Sequence, residues 1–108
     1  MIEKIEFENE LFGLIIRTSY SCEGISFFTP NHYSQQLGYM KREKGYKISP
    51  HIHKIVERKV HFTQEVLFIK SGKVKVNFYS ENKTYLCSKI ISKGDVLLLS
   101  KGGHGFEM

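Results

Sequence analysis

The chain has few cysteines, no long apolar run and no leader-like start, and each absence excludes a class of protein. Its two cysteines, Cys22 and Cys87, form no C-x-x-C motif. Two are too few for a disulfide scaffold, so both are predicted to be reduced thiols. No apolar run approaches the roughly 20 residues of a membrane-spanning helix, and MIEKIEFENE lacks the features of a signal peptide. A cytoplasmic protein without a membrane partner is therefore expected.

Positive charge exceeds negative charge, but the sequence contains no basic block. The chain has 16 Lys and Arg residues against 11 Asp and Glu, a formal net charge of +5. The lysines are scattered along predicted strands and turns, so a nucleic-acid-binding surface is not predicted. A basic surface raises the local concentration of anions, which favours a small anionic ligand.

The patterning predicts an all-β protein. At 108 residues the chain has material for one domain. Short runs rich in β-branched and aromatic residues recur at strand-like spacing, separated by turns that contain glycine, and no convincing amphipathic helix occurs. Val74, Val76 and Phe78 alternate with Lys75 and other polar residues, as in a strand with one buried face. Strands are predicted at residues 1–10, 11–18, 25–29, 34–41, 65–70, 74–79, 84–91 and 96–99.

A His-x-His pair is the first candidate for metal binding. Residues i and i+2 of a strand face the same side, so His51 and His53 would project together, about 7 Å apart at the backbone. From that separation both imidazoles can reach one ion at about 2.1 Å. Pro50 restrains its neighbour Ser49 to an extended conformation, which helps to fix such a strand.

A carboxylate and a third histidine must come from elsewhere in the chain. Glu57 lies four residues beyond His53, about 13 Å along a straight strand, which is farther than its side chain reaches. Glu65 begins the next strand and could lie opposite the histidine pair, so Glu65 is preferred, with Glu57 as the alternative. His104 is predicted to supply the third nitrogen, because the glycines around it allow a tight bend beside a buried site.

The spacing of these residues resembles the cupin family. Gly45, His51 and His53 follow G-x5-H-x-H, and Glu65 and Gly72 follow E-x6-G, the two halves of the first cupin motif. Eleven residues, 54–64, separate the halves where the family usually has three or four. This insert is predicted to be a long connection at the mouth of the pocket.

The second cupin motif is matched less fully. Gly94 and Gly102 fit G-x5-P-x-G, Ser100 replaces the proline, His104 comes one residue early, and the final asparagine of the motif is missing. Glu57 would satisfy the short spacing of the first motif, but no glycine follows it seven residues later. Both stretches also look like those of small, poorly characterised bacterial cupins.

The resemblance covers residues 36–108 and implies a fold and a cofactor. The implied fold is an antiparallel cupin-type double-stranded β-helix, or jelly-roll barrel, in a single domain 1–108. Its N-terminal strands would occupy residues 1–35 and its metal-binding barrel core residues 36–108. The implied cofactor is one divalent ion (Fe, Mn, Ni or Zn) with open coordination positions. Its ligands would be His51, His53, Glu65 and His104.

Cupin barrels usually continue for one or two strands beyond the last histidine ligand. This chain ends four residues after His104. Either the strand of a partner completes the sheet, or the chain is a shortened version of a longer protein. An unpaired barrel edge favours a homodimer.

Three functions fit these features. The first is a metal-dependent enzyme of oxygenase or isomerase type acting on a small polar or sugar-related substrate, with Tyr39, Tyr46 and Arg58 as candidates for orienting it. The second is a non-catalytic cupin that binds or senses a small ligand. The third is a metal-free nucleotide-sugar isomerase or epimerase with a histidine base. That role usually needs a His–Asp pair, and Asp95, the only Asp, is predicted to lie in a turn.

Overall fold

The chain forms β-strands and no helix, so it has no helix that could cross a membrane. The computed structural model describes residues 1–108. Its contacts divide the chain into two units, residues 1–20 with 62–108, and residues 21–61. All strand pairs are antiparallel, which confirms the predicted all-β antiparallel class. The strands are β1 Ile2–Phe7, β2 Glu10–Ile16, β3 Gly24–Phe27, β4 Gly38–Lys41, β5 Glu65–Phe68, β6 Lys73–Tyr79, β7 Tyr85–Ser92, β8 Val96–Leu99 and β9 Gly103–Glu107.

The first unit contains two sheets that share one hydrophobic core. One sheet has the order β1-β2-β8-β5 and the other β7-β6-β9. Because side chains alternate along a strand, the core residues of β6 and of β8 are two positions apart. Removing this apolar surface from water contributes about 25 cal/mol per Å². The core residues are Ile5, Phe12, Ile15, Val74, Val76, Phe78, Ile91, Leu97 and Leu99.

Strand β6 shows how the sequence pattern becomes packing. Val74, Val76 and Phe78 are buried and Lys75 is exposed, as the alternation predicted. The ring of Phe78 lies against Gly13 of β2, where an added Cβ would come within 2.9 Å of its Cε1 atom. An alanine at position 13 would therefore require the Phe78 ring to move.

Arg17, which follows β2, joins β1 and β7 at one side of the first unit. Its Nε donates a hydrogen bond to Glu3 Oε2 at 2.6 Å, and its Nη1 donates to the Ile90 carbonyl oxygen at 2.6 Å. Lys89 Nζ lies 3.4 Å from Glu3 Oε1. The hydrogen bond from Arg17 lowers the pKa of Glu3, because it stabilises the carboxylate. Edge strands β1 and β7 are thus fastened together by charged groups.

Asp95 lies in the turn before β8, as predicted, and is buried there. Its Oδ1 accepts a hydrogen bond from the Thr18 N–H at 2.8 Å, and its Oδ2 accepts one from the Ser92 N–H at 2.8 Å and one from Arg17 at 3.1 Å. Burial opposes ionisation, but the two N–H groups and Arg17 outweigh it, so the pKa of Asp95 lies below its ordinary value. The Asp95 carboxylate therefore has a structural role.

The second unit contains the β3–β4 hairpin and an irregular segment. Ser26 pairs with Tyr39 in the hairpin, and Thr29 Oγ1 donates a hydrogen bond to Gln36 Oε1 at 2.7 Å in its loop. Residues 46–61 contain no regular secondary structure. The prediction that a strand carries His51 and His53 is therefore wrong. The expected ladder partner of that strand, β5, pairs with β8 instead.

The glycines around His104 make both a bend and a strand. The predicted bend is confirmed at Gly102, which has a φ of +77°. Gly103 and Gly105 instead belong to β9, which pairs with the edge of β6. They form a strand because β6 offers backbone groups that β9 satisfies. Both sheets end in open edge strands, so the antiparallel class is shown, whereas closure into a jelly-roll barrel stays a prediction.

Candidate functional site

Glu65 and His104 lie on edge strands of the two sheets of the first unit, and both point towards the core. Residues opposite each other in an antiparallel pair face the same side. His104 on β9 is opposite the buried Phe78, and Glu65 on β5 is opposite the buried Leu99. The two polar side chains therefore meet at the inner margin of the core, on the side where β5 and β9 end their sheets.

The contact between these side chains is direct. His104 Nε2 lies 3.3 Å from Glu65 Oε1, and the side chains are 27% and 50% exposed. The pair is an ion pair only when His104 is protonated. An imidazole nitrogen and a carboxylate oxygen are ligands suited to Fe, Mn, Ni and Zn. A carboxylate beside an imidazole can equally orient it as a general base.

Neighbouring residues hold this pair in place. The Phe106 ring lies 5.5 Å from the His104 ring in an edge-on arrangement, and Leu67, two residues after Glu65 on the same face, packs against the core. The turn before β9 needs glycine, since a Cβ on Gly102 would come within 2.6 Å of the Phe12 ring. The Phe106 ring, the packing of Leu67 and the turn at Gly102 thus hold His104 and Glu65 in positions where their side chains meet.

His51 and His53 lie in the second unit, within the irregular segment. Their rings are 5.2 Å apart and inclined by 69°, and His51 Nδ1 lies 3.0 Å from the Ser49 carbonyl oxygen. The two histidines are therefore close to each other, as their spacing predicted, although no strand holds them. Both are exposed to solvent.

The structure brings the four predicted ligands together only as two pairs, each within its own unit. Glu65 and His104 touch in the first, and the two histidine rings touch in the second. No group of three or more His, Cys, Asp or Glu side chains is placed to hold a metal ion. The alternative carboxylate, Glu57, is exposed in the irregular segment. The four-residue ligand set stays a prediction.

The residues predicted to orient a substrate all lie in the second unit. Arg58 Nη1 donates hydrogen bonds to the carbonyl oxygens of Asn31 and Tyr33, each at 3.2 Å. Tyr39 lies on β4 and is partly buried. The Arg42 guanidinium lies 4.8 Å from the centre of the exposed Tyr46 ring. An open cleft of about 420 Å³ is lined by Glu23, Arg42, Glu43, Lys44, Gly45 and Tyr46.

The sequence reasoning missed the ionic clusters of the first unit. One is the Arg17 network, and the other surrounds Lys101, whose Nζ contacts Glu10 and lies 3.1 Å from Glu81 Oε1. The hydrogen bond that Lys101 Nζ donates to the Glu10 carboxylate raises the pKa of Lys101, because it stabilises the charged ammonium group. The one sequence feature that could have indicated the first cluster is Asp95, the only aspartate of the chain, which follows Gly94. No local pattern marks the second, because its members are far apart in the chain.

Comparison with known proteins gives no relative from which a role could be transferred. No family model, no curated protein and no solved structure matches the chain. The functional argument therefore depends on the residues described above.

Proposed function

We propose that this chain binds one divalent metal ion with His104 and Glu65 among its ligands. The observation that supports the proposal is the 3.3 Å approach of His104 Nε2 to Glu65 Oε1 from two different sheets. Placing polar groups beside an apolar core carries a desolvation cost, and a half-exposed ion pair returns little stability. A functional role for the pair is therefore favoured over a structural one.

His51 and His53 would complete the ligand set. Three imidazoles and one carboxylate suit Fe, Mn, Ni or Zn and leave coordination positions open. A bound ion of this kind supplies Lewis-acid chemistry. The chain's own contribution is to hold the donors at partly exposed positions that a small ligand can reach from solvent.

The finer fold and the partners form part of the same proposal. Two antiparallel sheets around one core, with β5 and β9 open on the side of the polar pair, support a cupin-type jelly-roll barrel. Open strand edges also support a homodimer. In this setting the chain would act as a metal-dependent enzyme, of oxygenase or isomerase type, on a small polar or sugar-related substrate. Alternatively, the chain would be a non-catalytic protein that binds or senses the same class of ligand without turnover.

A second candidate uses the same two residues without a metal. A carboxylate that contacts an imidazole stabilises its protonated form and orients the ring, as in general-base pairs. Glu65 is placed to act on His104 in this way, whereas Asp95 is committed to Thr18, Ser92 and Arg17. The contact therefore favours His104 as the general base, and Glu65 as the carboxylate that orients it, in a metal-free nucleotide-sugar isomerase or epimerase.

Metal binding by the protein without a polyhistidine tag separates the two candidates. We expect the purified chain to carry about one equivalent of a divalent ion, and the stripped protein to take up Mn²⁺, Ni²⁺, Fe²⁺ or Zn²⁺ in calorimetric titration. His104→Ala and Glu65→Gln should each weaken binding by at least about 10-fold, because each removes a ligand. His51→Ala should do the same if the histidine pair shares the ion.

Glu57→Gln is the matched control, since it removes an exposed carboxylate of the irregular segment. Metal lost after Glu57→Gln but kept after Glu65→Gln would show that the choice of carboxylate is wrong. No metal binding by the wild-type chain would refute the metal proposal. Turnover of nucleotide sugars by metal-free protein, abolished by His104→Ala, would then establish the second candidate. Metal binding without turnover of small polar or sugar-related compounds would indicate the non-catalytic protein.

A further inference from the structure

We propose that Lys101 is a positioning residue for the contact between His104 and Glu65. Its side chain is 15% exposed, and its ammonium group contacts the carboxylates of Glu10 and Glu81. The inference rests on the proposed function of the His104–Glu65 pair. It adds the residue that keeps the two halves of that pair in contact.

Lys101 is the central residue of the connection between β8 and β9, residues 100–102. This connection joins the two strands on which the pair depends. Leu99, the last residue of β8, is the ladder partner of Glu65, and His104 is the second residue of β9. A movement of the connection therefore changes the distance between Glu65 and His104.

Lys101 is the last residue before His104 whose side chain can hold this connection. Gly102 and Gly103 follow it and have no side chains. On the other side of Lys101, the Ser100 N–H donates a hydrogen bond to a carbonyl oxygen of β2 at 2.9 Å. The start of the connection is thus fixed by the backbone, and Lys101 fixes the part that leads to His104.

The ammonium group of Lys101 links the two sheets of the first unit. It donates a hydrogen bond to the carboxylate of Glu10, the first residue of β2. Its Nζ also lies 3.1 Å from Oε1 of Glu81, in the loop between β6 and β7. β2 belongs to the four-stranded sheet and β6 to the three-stranded sheet. One charged group therefore connects both sheets, three residues before His104.

Two aromatic rings border the same ammonium group. Lys101 Nζ is 5.0 Å from the centre of the Phe62 ring and 5.7 Å from that of the Phe12 ring, distances at which a ring attracts a cation. Phe62 lies three residues before Glu65, where the chain approaches β5. Lys101 therefore contacts the segment that leads to Glu65 and belongs to the segment that leads to His104.

The charge of Lys101 contributes to geometry more than to stability. Glu10 and Glu81 are both 57% exposed, so each carboxylate would regain water if the ammonium group were removed. A methionine would keep an unbranched apolar side chain against the two rings. It would make no directed contact with either sheet, and such supporting contacts decide whether a site keeps its geometry. Positioning and stability can therefore be separated by experiment.

Lys101→Met and Lys101→Arg test the proposal, and Lys93→Met is the matched control, because Lys93 is an exposed lysine just before β8. The first readout is independent of metal. It is the nuclear Overhauser effect between the imidazole protons of His104 and the side-chain methylene protons of Glu65 in the metal-stripped full chain. We expect this effect in the wild type, in Lys93→Met and in Lys101→Arg, which keeps a cation, and its loss in Lys101→Met.

Metal affinity and stability are the second and third readouts. The affinity for Mn²⁺ should fall by at least about 10-fold in Lys101→Met, as when the support of a ligand is removed, and Lys101→Arg should restore it. The urea midpoints of both variants should stay near that of the wild type. If Lys101→Met does not fold, Glu81→Gln takes its place, because it weakens the contact with one sheet only, and it should reduce the Overhauser effect.

The possible results are distinct. A folded Lys101→Met that keeps the Overhauser effect would overturn the proposal, and a lower urea midpoint in that variant would show that Lys101 is only structural. Loss of the effect that Lys101→Arg does not restore would also overturn it, since the cation would not be responsible. A wild-type chain that shows the effect but binds no Mn²⁺ would refute the metal site alone, and the effect in Lys101→Met would still decide the positioning role.

Discussion

Asp95→Asn should be among the most destabilising single-atom changes available in this protein. Its carboxylate accepts hydrogen bonds from the N–H groups of Thr18 and Ser92, both at 2.8 Å, and from Arg17 at 3.1 Å. The side chain is 4% exposed. An amide replaces one acceptor oxygen by a donor, so at least one of these buried donors would face another N–H group.

The magnitude follows from the groups left without a partner. One buried backbone donor without an acceptor costs about 1–3 kcal/mol, and losing the charge weakens the remaining hydrogen bonds by about 1 kcal/mol. Arg17 keeps Glu3 as a partner, which limits the loss. We expect a decrease of about 2–4 kcal/mol in the free energy of unfolding, against roughly 5–15 kcal/mol for a whole domain.

Urea unfolding followed by circular dichroism measures this loss. For a chain of this size we expect the midpoint to fall by about 2 M. Glu43→Gln, at an exposed carboxylate in the second unit, is the control and should shift the midpoint by less than about 0.3 M. An Asp95→Asn midpoint within the range of that control would refute the assignment of Asp95 as the centre of the turn.

The same variant predicts a change in acid stability. The pKa of Asp95 is lowered in the folded protein, so its contribution is fully present above the unfolded pKa of about 3.9. That contribution is lost as the pH falls below this value and through the folded pKa. Wild-type stability should therefore decline steeply below about pH 4, whereas the decline in Asp95→Asn should be shallower. Glu3, whose pKa is also lowered, keeps part of the acid dependence in the variant.

Two further substitutions test the packing of the core. Gly13→Ala should cost about 1–3 kcal/mol, because the new Cβ would lie 2.9 Å from Phe78 Cε1 and 3.3 Å from the Leu98 carbonyl oxygen. Gly105→Ala, whose nearest contact would be 3.9 Å away, is the control, and equal losses would contradict this packing. Phe78→Ala should lower the free energy of unfolding by about 3–5 kcal/mol. In the same denaturation assay, Phe106→Ala, at a partly exposed ring, should cost less than half of that, and comparable losses would argue against Phe78 as the centre of the core.

Most strands could be predicted from the sequence because burial of one face requires a period of two. The alternation of Val74, Val76 and Phe78 appears unchanged as the buried face of β6. β9 escaped prediction because glycines dominate it. A glycine carries no side chain to mark a face, so this strand exists only because the edge of β6 is there to pair with it.

The candidate site was predictable in its residue types and only partly in its geometry. Spacing alone placed His51 near His53, because a separation of two residues keeps side chains close in any extended chain. It did not show that their segment lacks a strand partner. The preference for Glu65 over Glu57 came from reach along the chain, and the structure adds the contact of Glu65 with His104.

The sequence by itself determined the all-β antiparallel class and the faces of its clearest strands, since these depend on neighbours one or two residues apart. Only the tertiary structure decided which polar residues meet. Glu65 reaches His104, and Asp95 reaches Arg17, through strands that are far apart in the chain. The physical reason is that hydrogen bonds between strands and burial of apolar faces set these distances, and no local pattern encodes them. The proposed metal centre depends on contacts of this second kind.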